Sequence, residues 1–362
     1  MHLFRQRLLW AKIAAVFAVV ALFGLAMMGS VLGATPKDLP VALVVLDRGA
    51  ELPDGGRLAA GETIRSKLQE TKGIPLKWHV LQSEADARRG IDHRDYYGAL
   101  IIPADFSAGL LSLQTANPKP ATVTILINEG MNAQAAAAVR QMLGQMMIRT
   151  ASAMLTPFML REETAHPVGA NNASGNAPNM LTQLLWIGSL VASIFLFLAA
   201  RKERHDGSAP WAAVLAQTAA GLLLAGLVSA FLLWTASSWY GMELHNGMKA
   251  WLFLWLAGSA FFLLQISLLN WLDLPAVGLL VLLFFFSMPV INLPPEFLPE
   301  ATRLGVYVWT PFRFVSEGLR DILYFGGTDR LTDSYAVLGW LAGVCLVLAA
   351  ASVFRTSVFR KA

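Results

Sequence analysis

Four charged side chains, Arg313, Glu317, Arg320 and Asp321, sit close together near the C-terminal end of the chain. Arg313 and Glu317 are spaced i, i+4, the separation at which opposite charges meet on one helix face. At about 100° per residue, Phe312, Val315, Leu319, Ile322 and Leu323 gather in an apolar arc and the four charges fall on the other side. That pattern predicts an amphipathic helix over 312–325, opened by Thr310-Pro311 and closed by Gly326-Gly327. Its chemistry is ion pairing at a membrane surface, as a lid over a pore mouth or as a structural cap. A second run, Arg201-Lys202-Glu203-Arg204, is mostly cationic and suits contact with anionic lipid.

Other polar residues read as structure. Asp273 lies in Asn270-Trp271-Leu272-Asp273-Leu274-Pro275; a proton-coupling carboxylate is one reading, and a tight turn with Pro275 opening the next helix is the simpler one. Asp92-His93-Arg94-Asp95 resembles a metal-binding cluster, but Arg94 neutralises it and a solvated turn accounts for it. Asn172-Ala173-Ser174 matches a glycosylation sequon within an Asn-rich stretch where chance matches are common.

Several activities are not expected. No Gly-Lys dipeptide occurs, so the chain has no phosphate-cradling loop for ATP. There is no GxSxG elbow and no HExxH helix, and the six histidines are scattered, so no catalytic residue, cofactor or metal site is assigned. The single cysteine, Cys345, lies inside an apolar run and permits no intramolecular disulfide. A lipid-modifying membrane enzyme would need a nucleophile, a metal or an acid pair, and none is legible.

The elements that carry these residues are mostly membrane spans. The chain has 362 residues, is 56% hydrophobic and 14% charged, and has a mean hydropathy of +0.53, which excludes an ordinary soluble enzyme. Apolar runs cover 13–32, 181–200, 211–234, 250–269, 276–290 and 335–354, each about long enough to cross a hydrocarbon core. None contains Asp, Glu, Lys or Arg, so a buried proton relay is not expected and a substrate path would be apolar. Most tryptophans, Trp186 among them, fall near run ends and suit an interfacial belt.

The first run follows Arg5, Arg7 and Lys12 and exceeds the apolar core of a signal peptide, so it reads as an uncleaved signal anchor. With six crossings, that cluster, the one at 201–204 and the one at Arg355, Arg360 and Lys361 share one face. The rule that basic flanks stay inside then places both termini in the cytoplasm. The pI near 9.3 arises from these flanks and does not indicate nucleic-acid binding.

Four parts follow: a cytoplasmic tail (1–12), a first transmembrane helix (13–33), an extracytoplasmic α/β domain (34–179) and a five-helix membrane domain (180–362). The α/β domain carries 14 basic and 14 acidic residues. Strand-like runs at 41–46, 76–81, 97–102 and 122–127 alternate with helical patterns at 62–71, 84–90 and 106–114, which predicts a largely parallel sheet. Ser83 and Asp105 are candidate N-caps. An Ala- and Met-rich helix over 132–160 would form a stalk, and 166–179, rich in Gly, Asn and Pro, a flexible linker.

Two segments of this domain are Pro40-Val41-Ala42-Leu43-Val44-Val45-Leu46-Asp47-Arg48-Gly49-Ala50 and Tyr96-Tyr97-Gly98-Ala99-Leu100-Ile101-Ile102-Pro103-Ala104-Asp105-Phe106-Ser107. Both resemble segments of the YhgE/Pip (phage infection protein) group of ABC-2 type membrane proteins. Leu298-Pro299, Pro311, Gly318, Arg320, Tyr324 and Gly326 are similar to the segment preceding the last helix of ABC-2 permeases. The resemblance spans nearly the whole chain and implies a permease-like subunit of a bacterial plasma membrane. It further implies a homodimer in the lipid bilayer, exporting an amphiphilic or envelope-related compound. ABC-2 permeases engage a separate ATPase through cytoplasmic elements. Here the loop at 201–210 only faintly matches that coupling segment, and its shortness counts against such a partner. The rival reading is a non-transporting receptor, scaffold or secretion accessory that acts through the α/β domain.

Overall fold

The computed structural model describes residues 35–52, 55–71, 73–113, 115–154, 158–205 and 209–358. The predicted tail (1–12) and first span (13–33) lie outside the described residues. The rest divides into one compact unit over Pro36–Val168 and a second from Gly169 onward.

The first unit is an α/β domain. Its strands β1 (Leu39–Val45), β4 (Leu76–Leu81), β5 (Gly98–Ile102), β6 (Thr122–Asn128) and β7 (Met159–Ala165) form one sheet in the order β4-β1-β5-β6-β7. A two-residue hairpin, β2 (Ala50–Glu51) and β3 (Arg57–Leu58), follows β1. Four helices connect the strands: α1 (Ala60–Glu70), α2 (Glu84–Asp92), α3 (Phe106–Ser112) and α4 (Ala133–Met154). β1 and β5 are runs of Val, Leu, Ile and Ala, and every residue of β5 is buried, as befits central strands covered on both faces.

Three pairings are parallel, but β5 and β6 run antiparallel. α3 is only seven residues long, and the Pro118 and Pro120 stretch leads the chain into β6 at the end where β5 stopped. The predicted stalk is also revised. Helix α4 ends at Met154, and Met159–Ala165, Met-Leu-Arg-Glu-Glu-Thr-Ala, form strand β7 in register with β6, the edge of the sheet among the described residues. α4 covers the sheet, burying Ala135, Ala136, Val139, Leu143 and Met147 along one face. Pairing with β6 overrides a local composition that favours helix.

Ser83 caps α2 by accepting from the Asp86 N–H at 3.1 Å, whereas Asp105 precedes α3 without a side-chain capping bond. The carboxylate at the exit of β1 does more. Asp47 accepts from the N–H of Gly61 (2.9 Å) and of Ser107 (3.0 Å) and from the Ser107 hydroxyl (2.5 Å), and that hydroxyl accepts from Ala60 N–H (3.0 Å). Strands β1 and β5 are thereby tied to the first turns of α1 and α3. A resident carboxylate occupies the α1 N-terminus, where an α/β sheet would otherwise bind an anion.

Among its described residues, the second unit holds five helices long and apolar enough to span a membrane: α5 (Ala177–His205), α6 (Pro210–Ser238), α7 (Gly247–Leu272), α8 (Pro275–Asn292) and α11 (Arg330–Val358). They coincide with the last five apolar runs. Between α8 and α11 lie a helical turn α9 (Glu300–Thr302), a π-helical turn (Arg303–Tyr307), and α10 (Pro311–Arg320), itself running into a π-helical turn (Asp321–Phe325). α7 is the central helix: 67% of its apolar window is buried, against 22–33% in the other four. It reaches its neighbours where glycine permits. A Cβ on Gly221 of α6 would overlap the Phe262 ring, and one on Gly318 of α10 the Phe253 ring.

Candidate functional site

The predicted amphipathic helix is present and closes at Gly326, whose φ of 76° is the left-handed conformation that glycine tolerates. Its apolar arc is buried throughout: Phe312, Val315, Leu319, Ile322 and Leu323 are at most 7% exposed. Phe312 enters an aromatic cluster with Trp186, Phe261 and Phe284, ring centroids 4.6, 5.2 and 5.9 Å away. Trp186 is therefore a core residue, which corrects its placement in an interfacial belt.

The polar side is occupied as well, and by different partners. Arg313 Nε lies 3.2 Å from Glu317 Oε1, and its guanidinium stacks 4.2 Å from the Tyr307 ring centroid. Tyr307 donates its hydroxyl to Glu317 Oε1 at 2.9 Å. Burial foremost, with the Glu317 carboxylate beside it, pushes the Tyr307 phenol pKa well up, so it remains a donor.

Arg320 and Asp321 do not face water. Arg320 Nη2 donates to Asn179 Oδ1 at 3.1 Å, an atom that also accepts from the Ser316 hydroxyl at 2.9 Å. Asp321 is fully buried and accepts from the Thr328 N–H (2.6 Å) and hydroxyl (2.7 Å). Only about half of the polar face is thus solvated. The buried half was invisible to helical periodicity because its partners come from 172–179 and from Thr328.

The segment read as a linker is divided accordingly. Residues 169–179 belong to the membrane unit. The Ala170 N–H donates to Glu243 Oε2 (3.2 Å), Asn171 Nδ2 to the Gly241 carbonyl (3.1 Å), and Tyr324 to Asn172 Oδ1 (3.3 Å). Asn172 is 2% exposed with both amide atoms engaged, so the sequon is not presented for modification.

At the other end of the bundle, Arg201, Lys202 and Glu203 sit exposed on the last turns of α5 rather than in a loop. Arg204 shares that helix, with its side chain outside the described residues. Arg201 Nη1 pairs with Asp273 at 3.2 Å. Asp273 occupies the turn between α7 and α8 at a φ of 62°, unusual for a non-glycine residue, and accepts from the Leu274 N–H at 2.8 Å. Pro275 opens α8, as the turn reading required. The basic run and the acidic turn, far apart in sequence, form one corner.

Between the two ends runs a seam of neutral polar groups. Gln265 on α7 donates to the Trp186 carbonyl (3.3 Å) and accepts from Ser193 (3.1 Å). Asn270 Nδ2 donates to Gln217 Oε1 (3.2 Å), and Ser267 to the Cys345 carbonyl (2.7 Å). Trp251 and Trp255 donate to the Gly226 and Leu222 carbonyls of α6. Amides inside apolar runs are costly in hydrocarbon unless bonded, so Gln217, Gln265 and Asn270 were the sequence signal for helix contacts that charge counting missed.

His93 closes α2, and among the described residues no group of His, Cys, Asp and Glu could hold a metal ion. No curated protein and no solved structure matches the chain. A family model described as ABC-2 family transporter protein matches residues 8–354, and with the five apolar helices it makes the protein a multi-pass membrane permease. The chain belongs to the ABC-2 family of transporter proteins.

Proposed function

We propose that the chain is the permease half of an exporter for an amphiphilic or envelope-related compound in a bacterial plasma membrane, with affinity to the YhgE/Pip group. Both termini and the Arg201–Asp273 corner face the cytoplasm, six helices span, and the α/β domain lies outside. The family match over residues 8–354 carries the transport reading. The Tyr96 to Ser107 segment supports the subgroup, and the basic clusters flanking the spans support the orientation.

Permeases of this family work with a separate ATPase. The corner formed by Arg201, Lys202, Glu203 and Asp273 is the surface we assign to it, because there a helix end and a helix-connecting turn are coupled by one ion pair. Helix α10 then acts as the outer cap: Arg313, Glu317, Arg320 and Asp321 are held by partners within the same unit, which suits a fixed closure better than a swinging lid. Two copies operate together.

Co-purification with any ATPase encoded beside this chain, and ATP hydrolysis in reconstituted vesicles, tests the reading. Hydrolysis that rises with the wild-type permease and falls for Arg201→Glu supports it. An absence of any ATPase partner overturns the pump. The separate compact domain keeps the receptor or scaffold reading in view. Deleting Pro36–Val168 separates the two and leaves 169–179, which is part of the bundle, in place. A receptor loses all function on this deletion, and a permease retains transport.

A further inference from the structure

Strand β7 ends the sheet among the described residues, and it is exposed on both faces along most of its length. Met159 N–H donates to the Ala121 carbonyl, and the Ala165 carbonyl accepts from Glu129 N–H. In a parallel ladder this parity directs the backbone groups of residues 159, 161, 163 and 165 toward β6. Leu160, Glu162 and Thr164 therefore turn their N–H and C=O groups to the open edge. Such an edge is a template for another strand unless its side chains forbid it.

The charges on β7 select a partner. Arg161 and Glu163 flank Glu162 on one face, where Arg88 of α2 pairs with Glu163 at 2.8 Å. On the other face Glu162 is paired by Arg140 of α4, which also binds Glu129. An antiparallel copy of the same strand, related by a two-fold axis at Glu162, sets Arg161 opposite Glu163 and Glu163 opposite Arg161. Leu160 then meets Thr164. The single like-charge match, Glu162 with Glu162, is offset by Arg140 from each copy. A strand that sets Arg or Lys opposite Arg161, or Asp or Glu opposite Glu163, places like charges across from one another, which is unfavourable.

We propose that two copies of this chain join edge to edge through β7, fusing their five-stranded sheets into one sheet across a two-fold axis at Glu162. This interface deepens the paired-permease reading and rests on it.

Disulfide trapping in membranes tests it, because Cys345 is the only native cysteine and Cys345→Ala gives a silent background. Directly opposed residues in this register stand about 5.5 Å apart at Cα, within disulfide reach. Glu162→Cys should therefore cross-link to a dimer on mild oxidation, at least about tenfold more than Thr164→Cys, whose two copies lie several residue rows apart. Adding Arg161→Glu or Glu163→Arg should cut the Glu162→Cys yield, and the two reversals together should restore it. Mass measurement in nanodiscs separates the failures. A dimeric particle in which Glu162→Cys does not cross-link overturns the β7 interface alone, and a monomeric particle overturns the paired reading with it. Loss of cross-linking that the double reversal does not restore overturns the charge register.

Discussion

The two units of this chain distribute polarity in opposite ways. In the α/β domain, Leu, Ile and Val fill the interior, and the charged pairs Arg65–Glu62, Arg88–Glu84 and Arg89–Asp86 stand at the surface. In the membrane unit, large apolar side chains such as Phe195, Leu223 and Trp340 lie outside, while Gln265, Ser193 and Ser267 are buried. Water drives the first arrangement, because removing apolar surface from it is favourable. Lipid exerts no such force between helices, so the bundle depends on close approach and on hydrogen bonds that hydrocarbon cannot supply. The same buried hydroxyl thus has different duties: Ser107 locks loops at the end of a sheet, and Ser193 joins two spans.

Substitutions that exchange these rules should separate the units. The largest effect is expected for Gly221→Leu, which drives a side chain into the Phe262 ring. It should destabilise the bundle by about 3 kcal/mol, measured as loss of monodisperse protein in detergent, with Phe262→Ala in the same chain recovering part of the yield. If Gly221→Leu is tolerated, close helix approach is not what holds α6 to α7.

Next comes Asp47→Ala, which leaves the backbone N–H groups of Gly49, Gly61 and Ser107 and the Ser107 hydroxyl without their acceptor. A cost of about 2–3 kcal/mol is expected, confined to the domain and read as faster hydrogen exchange at α1 and α3 with unchanged exchange in the spans. Gln265→Leu should cost less, about 0.6–1.7 kcal/mol, because interhelical bonds in membranes are worth little more. Urea or SDS titration of the full chain measures it, and a larger loss would make Gln265 a structural keystone.

The smallest effect is pH dependence. A hydrogen bond from Arg88 holds the Glu163 carboxyl below its usual range, and the Ser83 hydroxyl, then Arg89, do the same for Asp86. Groups with depressed folded values stabilise the fold above their unfolded values and lose that contribution as pH falls through the folded ones. Acidification below about pH 4 should therefore loosen α2 and β7 slightly. Hydrogen exchange at α2 checks the sign, and the predicted spans, which contain no acidic residue, should not respond.

Much of the architecture was legible because it rests on local repetition. Long apolar runs marked five helices, alternating Val- and Ile-rich segments marked four strands, and Pro311 with Gly326 bracketed α10. Strand β7 was not legible, since Arg161, Glu162 and Glu163 have no apolar alternation and only β6 makes them a strand. The boundary near residue 168 was hidden by a Gly- and Asn-rich composition that signals flexibility. Those side chains in fact serve the bundle through Asn172 and Asn179.

The candidate site divides along the same line. The i, i+4 spacing of Arg313 and Glu317 announces their pairing, because both charges share one helix and a helix has a fixed pitch. Nothing in that pitch reveals that Arg320 binds Asn179, that Asp321 is buried under Thr328, or that Arg201 meets Asp273. By itself the sequence determined what each segment can bury and where charge is tolerated, since both depend on neighbours within one helical turn or one strand. Which distant groups satisfy the buried ones was decided only by the tertiary structure. Hydrogen bonds act over about 3 Å, and folding alone brings residues from separate helices that close.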